Sequence, residues 1–131
     1  MSDTENGHRF IGLAERDLRT AQGMTDPREF GLEAFGFFAQ QAAEKALKAW
    51  LCAVDVHFSK THDLDVLFSM LEQAGEHEAK RFLHLRKLTE FAVERRYSLA
   101  SQEDEEFDRP DTVKQVKSLV EFVRTRLEGK G

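Results

Sequence analysis

The chain has 131 residues and a formal net charge of −5, is 33% charged and 40% hydrophobic, and contains eleven phenylalanines, one tyrosine and one cysteine. That length accommodates one domain with a sizeable core, and the acidic balance excludes a general nucleic-acid coat, which needs a basic surface to gain from counterion release. No apolar run approaches the ~20 residues of a membrane span, MSDTENGHR carries no hydrophobic signal core, and the single Cys52 excludes an internal disulfide, so the expectation is a soluble, unprocessed, cytoplasmic protein.

Residues 1–7 are polar and are expected to form a frayed tail. From His8 to Gly23 the apolar positions Phe10, Leu13, Ala14, Leu18 and Ala21 recur at helical spacing and predict a first amphipathic helix. Thr25, Asp26 and Pro27 make a connector in which Asp26 is a natural cap, so a second helix is expected to start near Pro27 or Arg28.

The second helix is the centre of the chain. Phe35 to Val54 reads FGFFAQQAAEKALKAWLCAV, with no proline. Phe35, Ala39, Ala42, Ala43, Ala46, Ala49, Trp50 and Ala53 fall on one broad apolar arc, and the alanines let neighbouring backbones approach closely. Gln41, Glu44, Lys45 and Lys48 are spaced by three, four and seven from Gln41 and form a polar stripe on the side away from those alanines. As a plain solvated face this stripe carries one Glu44–Lys48 pair worth ~0.3 kcal/mol. As a functional feature it is the floor of a polar groove.

Periodicity stops at Val56–Ser59, and Lys60, Thr61, His62 and Asp63 follow as a turn. Thr61 or Asp63 can cap a short third helix bearing Leu64, Leu67, Phe68 and Leu71 and ending near Gly75. A fourth α-helix is expected from Glu76 to Tyr97, with Phe82, Leu85, Leu88, Phe91, Ala92 and Tyr97 turned inward and Arg95 and Arg96 in its last turn. The acidic stretch SLASQEDEEFD reads as a mobile loop. Pro110 restarts the structure, and Val113, Val116, Leu119, Val120, Val123 and Leu127 predict a fifth helix before a loose tail at 129–131. No segment alternates with period two, so the fold class is all-α: a single domain over 1–131, an up-and-down antiparallel bundle of about five helices.

The sequence has no phosphate loop, no HExxH, no CxxC pair and no glycine-rich dinucleotide turn. His8, His57, His62, His77 and His84 are not at clustered ligand spacing, so neither a metal nor a cofactor is expected. Three polar clusters remain: the stripe, the KTHD turn, and Glu94, Arg95, Arg96 and Tyr97 at the end of the fourth helix. Capping by Thr61 and Asp63 and dipole neutralisation by the arginines account for part of the last two, but Lys60 and Arg96 exceed what those structural roles need.

The combination AQQAAEKALKAWL, then KTHDL, then a late ERRYS resembles the HEPN domain family, named for nucleotide binding in higher eukaryotes and prokaryotes. The resemblance runs from Phe10 to about Leu127 and implies a dimeric helical bundle that works beside a minimal nucleotidyltransferase, in some cases as toxin and antitoxin. Many members look like metal-independent ribonucleases with an arginine followed, four to six residues later, by a histidine. Here no arginine has a histidine at that spacing.

Two functional expectations follow. The first is a nucleotide- or RNA-associated binding and assembly module, with Gln41, Glu44, Lys45, Lys48, Lys60, Thr61, His62, Asp63, Arg95 and Arg96 as candidate nucleotide or anion contacts. The second is an endoribonuclease toxin in which Arg96 is the electrophilic residue and His62 or Tyr97 transfers protons. An inert dimerising bundle is the structural alternative.

Overall fold

Ile11, Ala14, Leu18 and Ala21 recur every three or four residues and all are buried, which makes the first helix one-sided. In the computed structural model, which describes residues 3–92 and 107–129, this helix, α1 (Asp3–Gln22), is followed by α2 (Leu32–Ala53), α3 (Leu64–Gln73), η1 (His77–Ala92) and α4 (Arg109–Glu128). The described residues contain no strand. The all-α bundle with a long central second helix is therefore the architecture observed.

Helix α1 begins earlier than its apolar periodicity indicates: most of the expected frayed tail is helical from Asp3 onward. Gly7 explains this, because it packs against Leu127 and Cys52 so closely that a Cβ there would lie 2.7 Å from Leu127 Cδ2. Helix α2 begins later than expected. Asp26 caps a tight turn instead, accepting from Arg28 N at 2.9 Å, and the extended Gly31 sets the helix start at Leu32.

Side-chain pairs give the topology. Asp17 meets Lys45, Trp50 meets Phe82 and Phe122, and Phe35 meets Phe107, so α1, α2, η1 and α4 run alternately up and down while α3 fills the connection between α2 and η1. Trp50, Phe82 and Phe122 form an aromatic triangle with centroids 4.8 to 6.2 Å apart that joins three of these helices. The indole Nε1 of Trp50 donates to Glu76 Oε1 at 2.7 Å, and Arg126 pairs with the same oxygen at 2.7 Å.

The fourth helix is a correction to the sequence reading. It winds with 3₁₀ geometry over His77–Ala92, not as an α-helix. Its buried residues Ala79, Phe82, Leu85, Leu88 and Phe91 are each three apart. On an α-helix such a row would drift about 60° per step, whereas three residues per turn keep it in line. The expected inward residues Phe82, Leu85, Leu88 and Phe91 are buried, Ala92 is half-buried, and Tyr97 lies outside the described residues.

Helices α2 and α3 end in the same way. Val56 N donates to Leu51 O and Asp55 N to Cys52 O after α2, and Glu76 N donates to Leu71 O and Gly75 N to Glu72 O after α3. Both are Schellman closures with a left-handed residue, Asp55 at φ 58 and Gly75 at φ 83. The first of them sends the chain from Val56 toward the turn at Thr61–Asp63. Helix α4 is capped by Asp108, which accepts from Asp111 N, and carries Pro110 in its first turn as the sequence suggests. Buried Arg109 donates to Met24 O at 3.0 Å and Phe30 O at 2.7 Å, tying the connector between α1 and α2 to the start of α4.

Candidate functional site

Gln40, Glu44 and Lys48 stand four residues apart on α2, one above another. Glu44 lies at the centre of a polar cluster. Its Oε2 accepts from Lys48 Nζ at 2.9 Å, and its Oε1 accepts from Gln40 Nε2 at 3.0 Å and faces His62 Nδ1 at 3.0 Å. The Glu44 side chain is 4% exposed and that of Lys48 11%, while His62 is 67% exposed. Of the two readings of the stripe, the plain solvated face does not hold for Glu44 and Lys48, which are buried, and the imidazole is the part of the cluster most open to the surface.

The turn that delivers His62 is held at several points. Gln40 Nε2 donates to His62 O at 3.0 Å. Thr61 Oγ1 accepts from Asp63 N at 3.1 Å, and Asp63 caps α3 by accepting from Asp65 N at 2.9 Å. One residue further, Leu64 N donates to Thr89 Oγ1 on η1 at 3.1 Å. Thr61 and Asp63 thus shape the turn. That leaves the His62 ring free of any capping duty.

A carboxylate oxygen only accepts, so the Glu44 contact makes Nδ1 of His62 the donor, and in the neutral ring the lone pair is then on Nε2. Such an imidazole can take a proton from a neighbouring group. Once protonated, it can donate to an anion. Lys48 sets a cation 2.9 Å from the other carboxylate oxygen, so the buried carboxylate has a charge partner beside the ring.

The other sequence candidates are placed as follows. Gln41 is half-buried and donates to Gln40 Oε1 at 2.7 Å. Lys45 turns away from the cluster to pair with buried Asp17 of α1 at 2.5 Å. Lys60 is exposed, two residues before His62. Arg95, Arg96 and Tyr97 lie outside the described residues. Two of the three polar clusters of the sequence meet, through Glu44, Lys48 and His62. Gln40 and Asp17 were missed by the sequence reading. The four-residue spacing of Gln40, Glu44 and Lys48 was the available signal for the first; the second has none, because its partner is 28 residues away.

Three hollows among the described residues lie elsewhere. One of about 470 Å³ is bordered by Gly31, Glu33, Ala34, Phe37 and Phe38, one of about 300 Å³ by Phe10, Cys52 and Phe58 among others, and one of about 290 Å³ by Arg81, Phe122 and Arg126 among others. None of them is lined by Glu44 or His62. Cys52 is unsuited to nucleophilic work, since burial first, then Asp3 and Asp55, push its thiol up to about 11. Among the described residues no group of three or more His, Cys, Asp or Glu is arranged to hold a metal ion, and no helix is long and apolar enough to cross a membrane.

Comparison with known proteins places the geometry in context. The family model described as the HEPN domain matches residues 8–128. No curated protein and no solved structure matches the chain.

Proposed function

Because the chain belongs to the HEPN domain family, we propose that it binds the phosphate groups of RNA or a nucleotide at the face presented by His62. It does so as a cytoplasmic, dimeric module working with a minimal nucleotidyltransferase-type partner. The observation that carries this reading is the pairing of an exposed imidazole with a buried carboxylate: His62 Nδ1 stands 3.0 Å from Glu44 Oε1. A side chain so exposed gains nothing for the core from being oriented. Orientation of its outer nitrogen matters when that nitrogen meets a ligand.

An open face favours an extended ligand, because a strand of RNA offers a phosphodiester to a surface imidazole without needing an enclosed hollow. Lys60 on the same turn supplies a point charge, and Arg95 and Arg96 are the candidate bidentate phosphate contacts of the sequence. Fluorescence anisotropy with a labelled single-stranded RNA, and calorimetry with a nucleoside triphosphate, test the reading. His62→Ala is expected to weaken binding about tenfold to a hundredfold, the value of one charge-assisted hydrogen bond. Wild-type protein that binds neither ligand at millimolar concentration refutes it.

The same pair favours a second reading, cleavage of RNA without a metal ion. An imidazole held at Nδ1 by a carboxylate is suited to take the proton of a ribose 2′-hydroxyl at Nε2. The hydroxyl oxygen then attacks phosphorus, the bond to the 5′-oxygen breaks, and that oxygen leaves with a proton. Arg96 would stabilise the charge on phosphorus, with Tyr97 as a proton donor. RNA incubated with the protein and a chelator should yield fragments ending in a cyclic phosphate, and intact RNA removes this reading alone.

A further inference from the structure

We propose that Gln40 is the positioning residue that aims the His62 imidazole, acting on the ring and on its backbone through a single amide group. Gln40 is fully buried. Its Nε2 donates one hydrogen to Glu44 Oε1 and the other to His62 O, both at 3.0 Å, and its oxygen accepts from Gln41 at 2.7 Å. Turned the other way, the amide would set its oxygen against a carboxylate and a carbonyl, so only this orientation satisfies the neighbours.

The two donated bonds have different consequences. The bond to His62 O fixes the histidine backbone against α2. The bond to Glu44 Oε1 fixes the plane of the carboxylate, with Oε1 toward the imidazole and Oε2 toward Lys48. Without it, Glu44 is free to rotate and offer both oxygens to the adjacent ammonium, which leaves Nδ1 of His62 with water for a partner. Fastening the turn requires only the first bond, and Asp63, Thr61 and Thr89 already contribute to that. The second bond is the one that sets the tautomer.

The functional value of this role rests on His62 being the phosphate-facing group, but the role itself is measurable without a ligand. Nitrogen-15 NMR of the imidazole distinguishes the two neutral tautomers. Wild-type His62 is expected to be protonated at Nδ1, with Nε2 carrying the lone pair. Gln40→Met keeps a similar side-chain volume, removes both donors, and should move the ring signals toward those of free histidine. Gln41→Ala, on a half-buried position, loosens the same amide from outside and should move them in the same direction by less, which keeps a test in hand if the first variant does not fold. Circular dichroism checks that the helices are retained. Unchanged ring signals in folded Gln40→Met overturn the proposal; so do unchanged signals in Gln41→Ala where Gln40→Met is unfolded. A shifted ring in Gln40→Met together with unaltered RNA affinity in His62→Ala upholds the positioning role and removes the phosphate-binding reading, so the two fail separately.

Discussion

Gly36 of α2 lies under the ring of Phe91 so closely that a β-carbon there would sit 2.3 Å from Phe91 Cδ1. Phe91 is the last of the row of inward residues on η1, so this contact sets how far that helix can settle onto α2. Gly36→Ala should destabilise the protein by about 1–3 kcal/mol through overpacking, despite the better helix propensity of alanine. Gly12→Ala is the control, since its added carbon meets nothing within 4 Å. It should stabilise by about 0.5–1 kcal/mol. Urea denaturation of the two variants measures both, and equal effects would mean that the Gly36–Phe91 approach is not tight in solution.

Glu44 and Lys48 should behave non-additively. Glu44→Leu strands a buried ammonium and is expected to cost about 3 kcal/mol or more. Lys48→Met costs less, about 1–2 kcal/mol, because Gln40 and His62 still contact the carboxylate. The double variant should cost clearly less than the sum of the two, as an apolar pair replaces a desolvated ionic one and the remaining loss is the buried Gln40 donor left without Glu44. Chemical denaturation of all four proteins completes the cycle, and strictly additive losses would argue against a buried pair.

Acid should weaken the fold through Glu76. Burial tends to raise its carboxyl, but hydrogen bonds from Trp50 and Arg126 together outweigh this and hold it below the ordinary value of 4.5. A carboxyl depressed in the folded state contributes stability that is present above its unfolded value and lost as pH falls through its folded value. Glu76→Gln should therefore be less stable than wild type at pH 7, and the gap should narrow as pH falls below the ordinary value of 4.5. Thermal melts from pH 7 to 3, followed by Trp50 fluorescence, report the convergence. A gap that does not narrow at all as pH falls would assign the loss to something other than the carboxylate charge.

Cys52 should resist alkylation in the native protein. With its thiol up at about 11, little thiolate exists at pH 8, and the residue is buried at the floor of its hollow. Iodoacetamide followed by mass spectrometry is expected to find it largely unmodified until denaturant is added, then stoichiometrically labelled. Rapid native labelling would mean that the end of α2 opens locally.

Most of the architecture was written locally in the sequence, because an apolar face repeats with the period of the helix that will bury it. Ala14, Leu18 and Ala21 announce α1, although buried Ile11 stands where Phe10 and Leu13 are the expected inward residues, the alanines and Trp50 announce α2, and Gly75 marks the end of α3. Even the 3₁₀ winding of η1 is foreshadowed by Phe82, Leu85, Leu88 and Phe91, each three apart, a spacing that an α-helical face also tolerates over a few turns. The candidate site was legible only in pieces. Glu44, Lys48 and His62 stand out by type, but nothing in the order of residues shows that Glu44 is buried.

That last point is a matter of tertiary closure. Whether a charged residue on α2 meets water depends on which segment lies over it, and the segment bearing His62 joins Glu44 across 18 residues. The same holds for Lys45, drawn aside to Asp17, and for Arg109, which reaches Met24 and Phe30 from the far end of the chain. Periodicity is a property of neighbours along the helix and survives in the sequence alone. Partner choice among polar groups depends on distances that exist only once the helices have packed, so the fold decided which carboxylate would hold which imidazole.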